Sequence, residues 1–510
     1  MQSFEGFRKS GSFLVSPEAE VQGELILKGD GTTLDLYSKE FFSTHDLTDG
    51  CISGTFHDRT KVSLINCITT QGPGTGSRGT EHYHFSSVFP HFAIFGDEHI
   101  ASSDRKITEA SFLIDDAASV FYDFDAFGSV FDGRAHMEAI AASKKAAGRE
   151  IPIGEHPHVF YFTGKREIVS VETTLGTVSA THNYSYSMPG PSGIKLENKI
   201  HVNVAFKENA TVAEAVASVD ILLRFLEVIA GRPQNVLRLL FRIQSADDKP
   251  TLLDAYWCMP PSRDGDSGDR RPHPGDLPIQ AARTPDYFAS VLKNWLARHD
   301  EWRNARFRFS SSFACQHRFT IDRIVGAANM FDILPSSAVP ATVVLPQDVK
   351  DAKKACSDTF KRLPKSPERE SVLNALGRLG KSSLRQKIRS RAKLILDVIP
   401  ERFPELDLVI QEAVDCRNYF VHGSKAKIDY GKDFDLVSFY TEALEFIFAA
   451  SDLLECGWDI KAWSTQSSTV SHPFDRFRHG YGPGLAELKK ALAAATAMKR
   501  PSAGPASASS

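Results

Sequence analysis

Asp415-Cys416-Arg417-Asn418-Tyr419-Phe420-Val421-His422-Gly423 closes an apolar-periodic segment that begins near Pro404, and its reading decides what the last part of the chain is. Ile410, Val414 and the Phe420/Val421 pair recur at helical spacing, which predicts an α-helix over 404–422 with those residues as its buried stripe. Gly423 stands where a helix is commonly closed by a residue in the left-handed conformation. Helical backbone then fixes Arg417 and Asn418, while His422 sits at the fraying end, free to reach outward. A permanently cationic guanidinium can hold a phosphate through parallel hydrogen bonds, and an imidazole can give or take a proton near neutrality. The grouping suits acid–base chemistry on a phosphodiester.

Spacing alone does not carry that reading. Arg78 and His84, and Arg149 and His156, are separated by similar distances along the chain, but the first pair opens in a glycine-rich stretch, 72–79, that reads as a long hairpin loop, and the second spans Pro152 and Gly154. Only Arg417 and His422 have a helix beneath them and a polar residue directly after the arginine. The competing reading is structural: a helix end carrying a dipole-stabilised histidine and a salt-bridged arginine, in a module for assembly or nucleotide binding.

Outward from this segment the chain continues helical. The periodicity predicts helices over 285–302, 310–334, 347–363, 368–379, 384–399 and 434–456. Arg378, Lys381, Arg385, Lys387, Arg389, Arg391 and Lys393 follow one another with no acidic residue among them. Arg385, Arg389 and Lys393 share one face, which marks them as candidates for contact with the backbone of a polyanion. Lys425 and Lys427, just after His422, are further candidates for the same contact. The segment 472–479 interleaves aromatic and basic residues and reads as a packed C-terminal loop.

The N-terminal half has the other period. Short runs at 21–27, 33–37, 50–56, 61–68, 85–95 and 109–114, then 159–162, 167–173, 177–187 and 199–206, alternate apolar and polar residues between Gly, Asp and Asn breaks. They predict an antiparallel sandwich or barrel. A helical stripe, Val216, Val219, Leu222, Leu223, Leu226 and Ile229, follows, and strands return at 236–243 and 252–257. The expected class is therefore α+β and multidomain. It comprises a β-rich domain over 1–208, a mixed connecting region over 209–305 with an exposed loop at 259–285, an all-α bundle over 306–463, and an extension over 464–510 with a disordered tail.

Arg417-Asn418-Tyr419-Phe420-Val421-His422 resembles the Arg-polar-x-x-x-His signature of HEPN ribonucleases. With the strand-rich half opening Gly11-Ser12-Phe13-Leu14 and Val21-Gln22-Gly23-Glu24-Leu25, the chain to about Trp463 is similar to ApeA-like anti-phage HEPN proteins. The resemblance implies an endoribonuclease acting in abortive infection, with Arg417 on the scissile phosphate, His422 transferring protons and Asn418 orienting one of them or the phosphate. It also implies a homodimer or higher assembly through the helical domain. The expected partners are RNA, with tRNA as one candidate, and a phage-derived trigger at the N-terminal domain.

Composition sets outer limits. A chain of 510 residues exceeds the size at which single cores split. A formal net charge of -3 gives no global field for nucleic acid, so RNA contact must be local. The seven cysteines are scattered singly, as in a reducing compartment. No signal peptide opens the sequence and no apolar run approaches the ~18 residues of a membrane span, so a cytoplasmic protein without membrane contact is expected. Glu81, His82 and His84, or His156 and His158, lack further ligands at metal spacing. The acids near His422, Asp415 and Asp429, form no Mg²⁺ ligand set. The reading therefore calls for no metal and no cofactor.

Overall fold

The computed structural model describes residues 4, 6–45, 47, 50–79, 81–188, 190–244, 249–260, 271–315, 318, 320–340 and 345–498. The expected tail at 501–510 and part of the expected loop at 259–285 lie outside them. The chain forms two compact units. One ends at Ala297; the other begins at Arg298 and also takes in Gly231–Pro233 and the stretch ending at Pro278.

The first unit opens with β1 (Arg8–Ser16), β2 (Ala19–Ile26), β3 (Thr33–Ser38), β4 (Ile52–Phe56), β5 (Lys61–Arg78) and β6 (Glu81–Gly96). All pair antiparallel in the order β6-β3-β2-β1-β4-β5, and β5 pairs again with β6, so the six strands close into a barrel. Alternate residues point inward, and Phe13, Leu25, Leu34, Leu36, Val62, Leu64 and Val88 are completely buried there. The glycine-rich stretch 72–79, expected as a loop, instead continues β5 through Arg78. Gly74 pairs with Phe85 and Gly76 with Tyr83, and a Cβ at either glycine would lie 2.4 or 2.2 Å from the partner's ring. Each glycine gives an aromatic ring room to lie across the strand.

The chain then adds β7 (Ile107–Ile114), α1 (Ala117–Val120) and a small hairpin, β8 (Phe127–Val130) with β9 (Val159–Phe162), which encloses α2 (Arg134–Ala146). After these come β10 (Glu167–Thr173), β11 (Gly176–Tyr186), β12 (Leu196–Ala210), α3 (Val212–Ala230), β13 (Val236–Gln244), β14 (Pro250–Trp257) and α4 (Pro285–Ala297). The order β10-β11-β12-β7-β13-β14 makes an open sheet that joins the barrel at β6. Since β5 occupies one edge of β6 throughout, the other edge is shared: 84–88 pair with β3 and 92–95 with β14. The segment expected to connect domains, 209–305, thus supplies two interior strands, and α3 packs its predicted stripe on β7 and β12. The loop expected to be exposed over 259–285 is buried at Asp276, Leu277, Ile279 and Ala281.

The second unit is helical: α5 (His299–Phe313), α6 (Ile321–Asp332), α7 (Gln347–Arg362), α8 (Pro367–Arg378), α9 (Leu384–Leu396), α10 (Leu406–His422), α11 (Phe434–Glu455), α12 (Ile460–Thr465) and α13 (Pro473–Met498). Two helices expected as continuous are broken, at Arg298 between α4 and α5, and before Thr320, whose hydroxyl caps α6 by accepting from the Arg323 backbone N–H. α11 runs through the centre, with α5, α6, α9, α10 and α13 around it. Near its C-terminal end Arg306 grips Asp452 at 2.8 and 3.0 Å, Arg391 grips Glu455 at 2.9 Å, and the guanidiniums of Arg298, Arg391 and Arg306 lie 4.6, 5.0 and 5.6 Å from the Trp302 ring. Leaving one such buried charge without its partner would cost about 3–5 kcal/mol, so α5, α9 and α11 are held in fixed register. The segment 472–479, expected as a loop, begins α13, with Phe474, Phe477 and Tyr481 buried against Phe403, Phe439 and Phe446. Among the described residues no helix is long and apolar enough to cross a membrane.

Candidate active site

α10 is held in the bundle by Leu406, Val409, Ile410, Ala413, Val414 and Cys416, all buried. Burial pushes the Cys416 thiol up to about 12, so this cysteine is a packing group. The stripe ends one turn earlier than the spacing predicts: Phe420 is half-buried and Val421 is 41% exposed. The last turn of α10 projects past the core, with Tyr419 and Phe420 leaning on buried Tyr430 at ring distances of 5.3 and 5.9 Å. Gly423 closes the helix at φ 63°, and its N–H donates to the Tyr419 carbonyl. That geometry leaves His422 exposed at the helix end.

Arg417 folds back toward this end. Its Nη1 donates to Asn418 Oδ1 at 3.2 Å and faces His422 Nε2 at 3.1 Å. A guanidinium has no lone pair to offer, so Nε2 is the acceptor and the neutral ring carries its proton on Nδ1. The other edge is held from α6: Nη2 donates to Asn329 Oδ1 at 3.0 Å and lies 3.9 Å from Asp332 Oδ2. The three motif residues are therefore together, and α6 contributes two residues that the motif does not contain. A polar Asn329 between buried Ala328 and Met330 was the available signal. Because Nη2 is engaged, an anion arriving from the exposed side would meet Nη1, in competition with Asn418 and His422.

The candidate RNA-binding cations behave differently. Arg385 donates to Asp415 Oδ1 at 2.8 Å, Arg389 lies 3.3 Å from Asp407, and Lys393 binds Asp397 at 2.6 Å as an i,i+4 pair. The helix therefore has acidic partners, one of them at its own C-terminus, and the absence of acids within the run did not reveal them. Lys427 bridges Glu412 and Asp415, both at 2.8 Å; its own burial opposes the charge, but the two carboxylates outweigh that and raise its pKa. Lys427 thereby pins the loop after His422 to α10. Lys425 is exposed on the same loop. Of the alternative pairs, Arg78 and His84 lie on β5 and β6, and Arg149 and His156 are exposed in an irregular segment.

Residues 8–295 match the family ApeA N-terminal domain 1, and residues 325–461 match Apea-like HEPN. Nothing among curated proteins or solved structures matches the chain. The first match alone spans more than half of the 510 residues, and the second contains Asn329 and the whole of α10. The chain belongs to the ApeA-like HEPN family, and that membership implies an anti-phage defence protein.

Proposed function

We propose that the protein is a metal-independent endoribonuclease that cuts RNA through the substrate's own 2′-hydroxyl, acting in abortive infection. The observation that carries this reading is the contact between Arg417 Nη1 and His422 Nε2 at the exposed end of α10. A phosphate that draws Nη1 away from Nε2 exposes the lone pair of a neutral imidazole beside the bound anion. His422 then takes the 2′-hydroxyl proton, the 2′-oxygen attacks phosphorus, and the P–O5′ bond breaks as the leaving oxygen takes a proton from the protonated imidazole that a second copy of the motif presents. Arg417 stabilises charge gathering on the phosphoryl oxygens, and Asn418 orients the guanidinium. The tethered nucleophile brings the benefit of intramolecularity. The β-rich unit serves as the sensor of a phage-derived trigger, and the assembly is at least a homodimer.

Purified protein incubated with total RNA, beside an Arg417→Ala control, tests the reading. Cleavage should persist in excess EDTA, leave 2′,3′-cyclic phosphate and 5′-hydroxyl ends, and fail on RNA carrying a 2′-deoxy sugar at the cut site. Loss of cleavage in EDTA, or equal cutting of the 2′-deoxy substrate, would show these roles to be wrongly assigned.

A further inference from the structure

We infer that Asn329 is a positioning residue for Arg417: its amide oxygen sets the roll of the guanidinium so that Nη1, and not Nη2, faces the reacting phosphate. The inference rests on the nuclease reading of Arg417 and His422. An arginine side chain has several rotatable bonds, and the helix fixes only its origin. Three acceptors orient the far end here, and two of them, Asn418 and His422, belong to the same exposed helix end that substrate must enter. Asn329 is the acceptor that substrate does not displace, because it comes from α6, half-buried between core residues, and binds the edge turned away from His422.

The choice of an amide is consistent with this task. A carboxylate at 3.0 Å would orient the guanidinium equally well, but it would neutralise the charge that the phosphate needs. The carboxylate that is nearby, Asp332, stands farther off at 3.9 Å and is shared with Lys387, whose Nζ donates to the Asp332 carbonyl at 2.9 Å and lies 3.8 Å from its carboxylate. Arg417 is thus held by a neutral partner at hydrogen-bonding distance, with the negative group kept beyond it.

The test is steady-state cleavage of a defined RNA by the full chain. Asn329→Ala should lower kcat by about 10–100-fold, the penalty expected when a reacting group is misplaced by about an ångström, with KM and melting temperature near wild type. Asn329→Asp, which keeps the acceptor and adds a charge, should recover kcat toward wild type while raising KM. In an Arg417→Ala background, Asn329→Ala should have no further effect. Wild-type kcat in Asn329→Ala beside an inactive Arg417→Ala overturns this inference and leaves the nuclease reading standing. Equal kcat losses in Asn329→Ala and Asn329→Asp, accompanied by falling melting temperatures, also overturn it, since they indicate a packing role. Full cleavage by Arg417→Ala overturns the nuclease reading and this inference with it.

Discussion

Arg417 and His422 meet because a guanidinium on one turn of α10 can reach an imidazole little more than a turn later, and the helix projects both beyond its buried stripe. Neither side chain fills the core, and the Arg417 side chain is only 14% exposed, with α6 lying over one edge of its guanidinium. Arg417→Ala and His422→Ala should therefore leave the melting temperature close to wild type. Each should lower RNA cleavage by about 10²–10³-fold or more, as when a preorganised transition-state partner is removed. Thermal melts beside cleavage assays check this, and unfolding of both variants would return the pair to a structural role. These residues were legible in the sequence because all of them fall within one stretch of helix, where spacing is geometry. Asn329 is 88 residues away from its partner, and a pairing that depends on two helices packing together leaves no local period to read.

α9 shows how charge is rearranged when a helix is packed. Its basic run lacks acids in sequence, yet Asp407, Asp415 and Asp397 come to Arg389, Arg385 and Lys393 from neighbouring turns and from α10. Arg391 from the same run is buried against Trp302 and Glu455. The exposed pairs are weak: such bridges contribute about 0–1 kcal/mol, so an RNA phosphate can displace the carboxylate from Lys393, which is 71% exposed. Neutralising Arg385, Arg389 and Lys393 together should lower the log–log salt dependence of RNA binding by roughly 0.7 for each single-strand phosphate that the variant no longer neutralises. A slope unchanged in the triple variant would leave the three as ion pairs only. α13 was hidden for a different reason. Gly480, Gly482, Pro483 and Gly484 are poor helix formers, and the burial of Phe474, Phe477, Tyr481 and Leu488 overrides their preference.

In the N-terminal half, alternation identified nearly every strand but did not decide between a sandwich and the closure of six strands into a barrel, because closure depends on which partner takes each half of one edge of β6. That information lies between strands, not within them. The helical unit raises a similar question of completeness. One Arg417 and one His422 offer a single phosphate clamp and a single proton carrier, whereas in-line cleavage requires a base for the 2′-hydroxyl and an acid for the departing oxygen. A second copy related by a two-fold axis presents the same two residues in reverse, so facing motifs would supply both functions. If the active species is such a dimer, adding excess Arg417→Ala/His422→Ala double variant should draw wild-type chains into mixed dimers and drive cleavage per wild-type chain toward zero. Sedimentation should show the mixed species at twice the chain mass. Wild-type activity that ignores the inactive chain, in a preparation that sediments strictly as monomer, would mean that one Arg–His pair suffices and that the missing acid comes from elsewhere in the same chain.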